Sequence, residues 1–222
     1  MSAPRQAPGP ARGIFISVEG IDGAGKTTQA RALASWLRER GREVVLTREP
    51  GGTELGESLR ALVLDDRAPL GAAAELLLYG ADRAQHVEEV IRPAVESGRT
   101  VVCERFADST AAYQGRGRGL DAEFVQALNR FATGGLEPDL TVLLELTPAA
   151  ARARLAQTPD RLEREAADFH RRVAQGYREL ARAHPARIRV VDATGAVEEV
   201  STRALQVLQD FLSARADQGG PS

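Results

Sequence analysis

Short apolar runs rich in β-branched residues alternate along the chain with longer segments of helical periodicity. The short runs predict strands at Ile14–Glu19, Glu43–Thr47, Thr100–Cys103, Leu140–Leu146 and Ile188–Val191. The longer segments predict helices at Thr27–Arg40, Glu54–Leu64, Ala72–Glu96, Asp121–Ala132, Pro148–Ala156, Arg164–Ala183 and Val197–Ala214. Apolar strands that alternate with helices are typical of a parallel sheet covered on both faces. We therefore expect an α/β fold with a doubly wound, five-stranded parallel sheet flanked by helices.

The sequence contains neither an internal repeat nor a recognisable interdomain linker, and we expect one domain over residues 13–214. Gly41, Gly98 and Gly134 stand where helix C-terminal caps are expected. Residues 1–12 are rich in Pro, Ala and Gly but lack the apolar core of a signal peptide. We predict that this segment and residues 215–222 are disordered tails.

Composition excludes several classes of protein. The 222 residues carry a net charge of −2, which gives no overall attraction to nucleic acid or to an anionic membrane. No apolar stretch approaches the roughly 18 residues of a membrane span. Cys103 is the only cysteine, so an internal disulfide is impossible, and this fits a reducing cytoplasm. We expect a cytoplasmic protein without nucleic-acid or membrane partners.

One residue is conspicuous against this background: Lys26 is the only lysine among 29 basic residues, the others all being Arg. It lies in a Gly-rich loop between a predicted strand and a predicted helix. One explanation is that a single lysine has remained in the sequence by chance. The physical explanation is a site that needs the compact charge of an ammonium group, which the planar guanidinium of Arg cannot replace.

The loop around Lys26 has the G-x-x-x-x-G-K-[ST] pattern of a phosphate-binding loop. Its residues are Gly20, Ile21, Asp22, Gly23, Ala24, Gly25, Lys26 and Thr27, and Thr28 follows. Glycines in such a loop let successive N–H groups face phosphate oxygens, and the next helix directs its positive end to the same place. Lys26 would reach the β- and γ-phosphates and the Thr27 hydroxyl would ligate Mg²⁺. The alternative is a flexible turn without a ligand.

Three further segments near strand ends carry charge suited to a second substrate, because ligands bind beyond the carboxyl ends of parallel strands. Arg48 follows the second strand and precedes Glu49 and Pro50, whereas Glu104 and Arg105 follow the third. A salt-bridged loop is the alternative for the first segment. Tyr79 and Arg83 share one helix face at i, i+4 spacing, where they could stack on and bond a base. A core aromatic beside a surface charge is the more common reason for such a pair.

In this order, these motifs are similar to those of bacterial thymidylate kinases from about Gly13 to Leu212. The resemblance rests on the phosphate loop, Arg-Glu-Pro-Gly-Gly-Thr at 48–53, the aromatic residue four before Arg83, Arg-x-x-x-Ser-x-x-Ala-Tyr-Gln at 105–114 and Asp-Arg-Leu-Glu at 160–163. It implies a P-loop fold of the nucleoside monophosphate kinase type, with a short lid over residues 149–165. The family usually forms homodimers through helices on one sheet face, for which the Ala72–Leu78 run is a candidate.

The resemblance also implies a role for each matching residue. The acceptor monophosphate would contact Arg48 and Arg105, and Asp22 would contact the sugar 3′-hydroxyl or Mg²⁺. Tyr79 would stack on the base, and Arg83 would bond its O4 edge. Thr110 or Gln114 would line the base, and Tyr113 would fill the space that a ribose 2′-hydroxyl needs. Glu49, Pro50, Ser109 and Glu163 complete the predicted acceptor site. Glu104 joins Thr27 and Asp22 as a metal candidate, although the family commonly has Asp there, and Phe106 replaces the usual Tyr or His.

The lid contains a cluster of arginines at positions 152, 154, 161 and 164, with Thr158-Pro159-Asp160 as a predicted turn. A solvated helix face is the alternative explanation for these charges. Because the phosphate loop holds only Lys26, the chain resembles the subclass whose catalytic arginine comes from the lid. Arg161 is the first candidate and Arg154 the second, and Ala193 lies in the loop that resembles the adenine-facing one.

The expected reaction is therefore transfer of the γ-phosphate of ATP to dTMP, giving ADP and dTDP, a step in dTTP synthesis. Catalytic residues would be Lys26, Arg105, Asp22 and a lid arginine, with Mg²⁺ as cofactor. A kinase for another nucleoside monophosphate or small acceptor is the nearest alternative, and a regulatory P-loop switch is the alternative from another class. Since no general base is needed, we expect His86, His170 and His184 at the surface.

Overall fold

The sheet can be followed through a computed structural model that describes residues 12–65, 67, 69–155 and 160–218. Its strands are Phe15–Glu19 (β1), Val44–Arg48 (β2), Thr100–Glu104 (β3), Leu140–Glu145 (β4) and Ile188–Asp192 (β5). All neighbouring strands are parallel, in the order β2-β3-β1-β4-β5. The predicted five-stranded parallel sheet is confirmed, and each strand boundary lies within one residue of the predicted one.

Side chains on both faces of the central strand are buried, which is why the strand sequence lacks polar alternation. Phe15 of β1 packs with residues such as Val101 and Ile91 in one apolar cluster. Ile16 and Val18 belong to a larger cluster on the other side of the strand. Successive side chains of a strand point to opposite faces. Helices therefore cover both faces of the sheet, as predicted.

The α-helices follow the predicted segments, with one addition, α5, and an interruption of the predicted Ala72–Glu96 helix. They are Lys26–Arg38 (α1), Glu54–Leu64 (α2), Ala72–His86 (α3), Arg92–Glu96 (α4), Ala107–Thr110 (α5), Ala122–Thr133 (α6), Pro148–Arg152 (α7), Ala167–Ala183 (α8) and Val197–Gln218 (α9). Two π-helical segments, Val87–Ile91 and Ala111–Gly117, adjoin α4 and α5. The sequence analysis did not predict α5 or either π-helical segment.

One predicted helix, Ala72–Glu96, is interrupted in the structure. The first π-helical segment separates α3 from α4, which has Pro93 in its first turn. Proline has no backbone N–H and its ring crowds the carbonyl four residues earlier, so a regular α-helix cannot run through this position unchanged. The uninterrupted helix α3, which precedes this segment, carries both Tyr79 and Arg83.

The predicted C-terminal tail is wrong for residues 215–218, because α9 continues to Gln218. Leu208 of this helix is fully buried, and Arg215 lies 3.2 Å from Asp139. Arg12, which was predicted to lie in the other tail, also pairs with Asp139 at 2.7 Å. The two ends of the domain thus meet at one carboxylate. Residues 1–11 and 219–222 of the predicted tails lie outside the described residues.

The predicted lid is described in two parts, because residues 156–159 lie outside the described residues and include most of the predicted Thr158–Asp160 turn. Before them, α7 ends at Arg152, and after them α8 begins at Ala167, not at Arg164 as predicted. The Thr147 side chain caps α7 by accepting a hydrogen bond from the Ala150 N–H. Within the described part of the chain, the helices fall short of the length and hydropathy that crossing a membrane requires.

Candidate active site

The phosphate loop connects β1 to α1 at the carboxyl edge of the sheet. Gly20, Gly23 and Gly25 all have positive φ angles, 143°, 81° and 92°, which side-chain-bearing residues rarely adopt. A Cβ atom on Gly23 would lie 2.3 Å from the carbonyl oxygen of Ala151 in α7. The first part of the lid region therefore packs against the loop closely enough to require glycine there.

Lys26 is buried at the base of this loop, with 5% of its surface exposed. Its Nζ atom donates to the Ile21 carbonyl at 2.9 Å and lies 3.9 Å from Asp22 Oδ1. Burial lowers the pKa of Lys26 to about 8, and the nearby charge of Arg105 acts in the same direction. A bound polyphosphate would oppose both effects, because an anion next to the ammonium favours its charged form.

Asp22 links the loop to the end of β3. Its carboxylate contacts Arg105 Nη2 and accepts a hydrogen bond from the Tyr113 hydroxyl at 2.7 Å. Burial raises the pKa of Asp22, but the positive charges of Arg105 and Lys26 outweigh burial and hold this pKa at about 2. The site therefore contains an ionised carboxylate between two cations, before any substrate is considered.

Arg105 has an unusual backbone for a residue other than glycine, with φ at 65°. In this conformation its Nη1 atom donates to the Gly20 carbonyl at 3.1 Å and to Ser109 Oγ at 3.2 Å. The guanidinium thus lies across the phosphate loop. Left-handed backbone at a non-glycine position is found at functional sites when the surroundings hold it in place.

Glu19 provides that support from below. Its fully buried carboxylate accepts hydrogen bonds from the Phe106 N–H at 2.7 Å, from Ser109 Oγ at 2.6 Å and from the Tyr177 hydroxyl at 3.0 Å. Burial, followed by the charge of Asp108, raises the pKa of Glu19 to about 7. Sequence reasoning missed Glu19 and Tyr177, although a carboxylate ending an otherwise apolar strand was a usable signal.

Thr27 and Glu104 meet at the outer side of the loop, where Thr27 Oγ1 donates to Glu104 Oε2 at 2.8 Å. A hydroxyl beside a carboxylate is a donor set of hard oxygens, which Mg²⁺ prefers. The described residues contain no cluster of three or more His, Cys, Asp and Glu that could hold a metal ion. Mg²⁺ in phosphate-transfer sites is commonly held by one or two protein oxygens plus phosphate and water, so these residues fit it. The longer side chain of Glu104 still reaches Thr27.

Arg83 is held from two sides by fixed partners and is almost completely buried. Its Nε donates to Glu49 Oε2 at 2.9 Å, and its Nη1 donates to Thr110 Oγ1 at 2.9 Å. Nη1 also donates to Asn129 Oδ1 at 2.8 Å. These partners fix the guanidinium at the edge of the cleft. The sequence did not indicate Asn129 as a site residue, because no local motif relates α6 to this site.

The prediction that His86 lies at the surface is wrong. Its side chain is fully buried, with Nδ1 at 3.1 Å from Glu49 Oε1 and Nε2 at 2.7 Å from Thr47 Oγ1. The i, i+3 spacing from Arg83 places both side chains on the face of α3 that carries Glu49. His86 therefore orients the carboxylate that holds Arg83. His184 is exposed, as predicted, and His170 is partly exposed.

The remaining acceptor-side cations lie nearer the solvent. Arg48 is about half exposed and pairs with Glu57 at 2.9 Å. Arg60, which sequence reasoning missed, donates to the Pro50 carbonyl at 3.0 Å. Its position within the periodic pattern of α2 gave no indication of this contact. Arg48 and Arg60 thus flank Pro50 at the rim of the cleft.

The two lid arginines are placed differently. Arg154 donates to the Ala193 carbonyl at 3.0 Å, on the loop that follows β5, and lines the cleft. Arg161 donates through Nε to the Val63 carbonyl at 2.9 Å and does not line the cleft. Glu163 lines it, and burial raises the pKa of Glu163.

Most of these groups surround one cleft of about 690 Å³. Most predicted site residues line it, namely Asp22, Gly23, Ala24, Gly25, Lys26, Thr27, Thr28, Arg48, Glu49, Pro50, Tyr79, Arg83, Glu104, Arg105, Ser109, Thr110, Tyr113, Gln114, Arg154 and Glu163. Gly20, Ile21, Ala193 and Arg161 lie outside the lining. Residues that were not predicted as site residues also line it, namely Gln29, Arg60, Leu64, Asp160, Leu162, Gly195, Ala196, Val197 and Val200. The cleft thus joins a phosphate loop to a second cationic site.

Comparison with known proteins agrees with this geometry. The profile of the family described as thymidylate kinase matches residues 18–204. A thymidylate kinase of Gloeobacter violaceus is 51% identical over 204 residues, covering 90% of this chain and 96% of that protein. One of Clavibacter sepedonicus is 56% identical over 184 residues, covering 82% and 87%. The crystal structure of thymidylate kinase from Ehrlichia chaffeensis superimposes with a TM-score of 0.75 at 34% identity, covering 90% of this chain and all of that one.

The raised pKa of Glu19 predicts a specific dependence of stability on pH. The folded protein binds this proton up to about pH 7, whereas the ordinary pKa of a free glutamate side chain is 4.5. The stabilisation is therefore complete below pH 4.5 and is lost as the pH rises through 7, by up to about 3 kcal/mol. Urea unfolding of the wild type and Glu19→Gln at several pH values will measure it. Parallel pH profiles for the two proteins would contradict the assignment.

Proposed function

Because this chain belongs to the thymidylate kinase family, we propose that its cleft transfers the γ-phosphate of ATP to dTMP, giving ADP and dTDP in dTTP synthesis. The observation that carries this proposal is the pairing of two anion sites in one cleft. Lys26 lies at the phosphate loop, and Arg105 crosses from the end of β3 to contact that same loop. Two phosphate groups bound there would face one another.

At the donor end, backbone N–H groups of residues 20–28 would bind the triphosphate together with the positive end of α1. Lys26 would neutralise charge on the β- and γ-phosphates. Arg154 is our candidate for the lid arginine, because it lines the cleft and reaches the loop containing Ala193. Its place supports this assignment over Arg161, whose guanidinium contacts α2 and α3 instead.

At the acceptor end, Arg48 and Arg105 would bind the monophosphate and direct it to the γ-phosphate. Tyr79 would stack on thymine, and Arg83 would donate to its O4 edge from the position that Glu49 fixes. Thr110, Gln114, Ser109 and Pro50 would line the base and sugar. Tyr113 and Asp22 are hydrogen-bonded to one another and would contact the deoxyribose, where the tyrosine ring would fill the space that a 2′-hydroxyl needs.

Thr27 and Glu104, with Asp22 nearby, would hold Mg²⁺, which supplies positive charge to the transferring phosphate when it is bound. Apart from neutralising charge, the cleft residues need only position the two substrates for transfer. The nucleophile is a phosphate oxygen whose second pKa is about 6, so it is largely ionised at neutral pH. No general base is needed. This agrees with the position of His86, whose two ring nitrogens are already bonded to Thr47 and Glu49.

The alternatives fit the cleft less well. A regulatory switch needs one nucleotide site, whereas Arg48, Arg60, Arg83 and Arg105 line a second region of the same cleft. A kinase for another nucleoside monophosphate would share the phosphate chemistry but would not require Tyr113 beside Asp22. We also propose that the enzyme acts in the cytoplasm, where its single buried thiol, Cys103, stays reduced.

We further propose a homodimer through α3 and α6, which pack side by side. A Cβ atom on Gly80 of α3 would lie 3.3 Å from Leu128 of α6. Around this contact, Leu77, Phe124 and Phe131 expose 54%, 55% and 86% of their surfaces. Large apolar side chains that are exposed on two helices packed against each other are typical of an interface. The predicted Ala72–Leu78 run forms part of it.

A substrate panel tests the function. With Mg²⁺ and ATP, the purified protein is expected to form ADP in proportion to added dTMP and far more slowly with dUMP, AMP, GMP or CMP. Lys26→Ala should reduce kcat about a thousandfold, because it removes the charge at the transferring phosphate, while leaving the far-ultraviolet circular dichroism unchanged. Preference for a chemically different acceptor, or full activity of the variant, would overturn the proposal.

The lid arginine is tested by Arg154→Gln, which should lower kcat about 10³-fold with a small effect on the KM for dTMP. Arg152→Gln is the matched control, because Arg152 is exposed two residues earlier and does not line the cleft. Steady-state kinetics with ATP and dTMP provide both constants. Equal kcat values for the two variants would show that Arg154 does not act on the reaction.

The dimer is tested by sedimentation velocity. Phe131→Arg should convert a particle of twice the chain mass of 23.8 kDa into a monomer, because it places a charge in the apolar face. Val190→Arg is the control, since Val190 is a similarly exposed apolar residue on the edge strand β5. A monomeric wild type, or a dimer that persists in Phe131→Arg, would contradict this interface.

A further inference from the structure

A second buried carboxylate, Glu75, lies behind the cleft in the first turn of α3. Its side chain has no exposed surface and does not line the cleft. Burying a carboxylate is costly unless cationic or hydrogen-bond donors surround it. Glu75 has three such partners, and they come from two separate parts of the chain.

The first two partners belong to the second π-helical segment and the residue that follows it. Gln114 Nε2 donates to Glu75 Oε1 at 2.8 Å, and Arg118 Nη2 donates to Oε2 at 2.9 Å. Gln114 also lines the cleft at the base and sugar side. Glu75 therefore fixes one wall of the acceptor site from behind.

The third partner comes from the lid. Arg161 Nη2 lies 2.7 Å from Glu75 Oε2, and its Nε donates to the Val63 carbonyl at 2.9 Å, so one side chain joins the lid to α2 and α3. The next two residues, Leu162 and Glu163, line the cleft. One carboxylate thus holds two separate parts of the acceptor wall.

The charges of the cluster formed by Glu75, Arg118, Arg161 and Glu165 are balanced. Arg118 also contacts Glu165 at 2.5 Å, so two guanidinium groups face two carboxylates. Burial raises the pKa of Glu75, but hydrogen bonds from Arg118, Gln114 and Arg161 outweigh it and leave the pKa below its usual value. The Arg118 guanidinium also lies 4.7 Å from the ring centre of Phe169 in α8. The cluster is therefore ionised and fixed on every side.

We propose that Glu75 and Arg161 form a lid anchor that fixes residues 160–163 against the acceptor pocket. Both are then positioning residues for the nucleoside monophosphate, acting through Gln114, Leu162 and Glu163 without touching the transferred phosphate. This inference rests on the proposed function, since it concerns the binding of the same acceptor. It assigns Arg161 a role distinct from charge neutralisation at the γ-phosphate.

The lid anchor and a transition-state role for Arg161 predict opposite kinetic changes. Loss of the anchor loosens the acceptor wall, so dTMP binds more weakly while the phosphate-transfer groups remain in place. Loss of a transition-state cation leaves dTMP binding intact and reduces kcat about 10³-fold. The two effects are separated by measuring binding and turnover on the same variants.

The variants are Arg161→Gln, Glu75→Gln and the double variant. We expect dTMP binding, measured by titration calorimetry without ATP, to weaken about tenfold in each single variant, with the KM for ATP changed less than about threefold. Because Arg161 acts through Glu75, which also holds Gln114, the double variant should bind dTMP about as weakly as Glu75→Gln alone. Arg116→Gln is the matched control. Arg116 belongs to the π-helical segment that also carries Gln114, and it forms an exposed pair with Glu179 of α8. It should match the wild type.

Each other outcome overturns the proposal. Wild-type affinity for dTMP in both single variants contradicts the anchor, and so does a kcat loss of about 10³-fold in Arg161→Gln with unchanged binding. Effects that multiply in the double variant show two independent residues. If circular dichroism shows that Glu75→Gln is unfolded, Arg161→Gln alone decides between weakened binding and lost turnover. A wild type that does not phosphorylate dTMP refutes the proposed function, whereas an active wild type with unchanged variants refutes only the anchor.

Discussion

The whole site depends on compensation of buried positive charge. Lys26 and Arg105 lie within a few ångströms of the phosphate loop, where they must attract two anionic substrates, yet two buried cations repel one another. Asp22 resolves this conflict, because its carboxylate contacts the Arg105 guanidinium and lies 3.9 Å from the Lys26 ammonium. The cations are therefore kept charged and aligned before binding, and charges that are already oriented need little reorganisation during the reaction.

That arrangement requires support from the fold, which Glu19 provides. Parallel strands end at one edge of the sheet, so Glu19 of β1 lies beside the turn that follows β3. By accepting the Phe106 N–H, the Glu19 carboxylate holds the turn in which Arg105 has its positive φ angle. The raised pKa of Glu19 is the energetic consequence of putting this group in a buried position. The unfavourable backbone conformation of Arg105 and the buried carboxylate of Glu19 thus both lie directly at the site.

The sequence predicted the sheet well and the buried polar groups badly, for a common physical reason. Strand and helix patterns indicate which positions face an apolar core, and the bounds of all five strands could be predicted from them. A polar residue in such a pattern has the same periodicity whether it faces water or a buried partner. His86 and Glu75 therefore resembled surface positions of a helix, and their partners are far away in the sequence. Phosphate-loop residues were identifiable because their geometry depends on neighbours in the chain.

The same reasoning explains why the two lid arginines could not be separated by sequence. Arg154 and Arg161 belong to one basic cluster, and both are attached to short elements without a regular pattern. Their environments differ because Glu75 lies beneath only one of them, at 2.7 Å from Arg161. The Arg161 guanidinium is held by this carboxylate and by the Val63 carbonyl, and it does not line the cleft. Arg154 instead donates to neutral carbonyls, which orient its charge without cancelling it. The partners that position each arginine, more than the number of arginines in the lid, therefore determine which of these cations face the substrates.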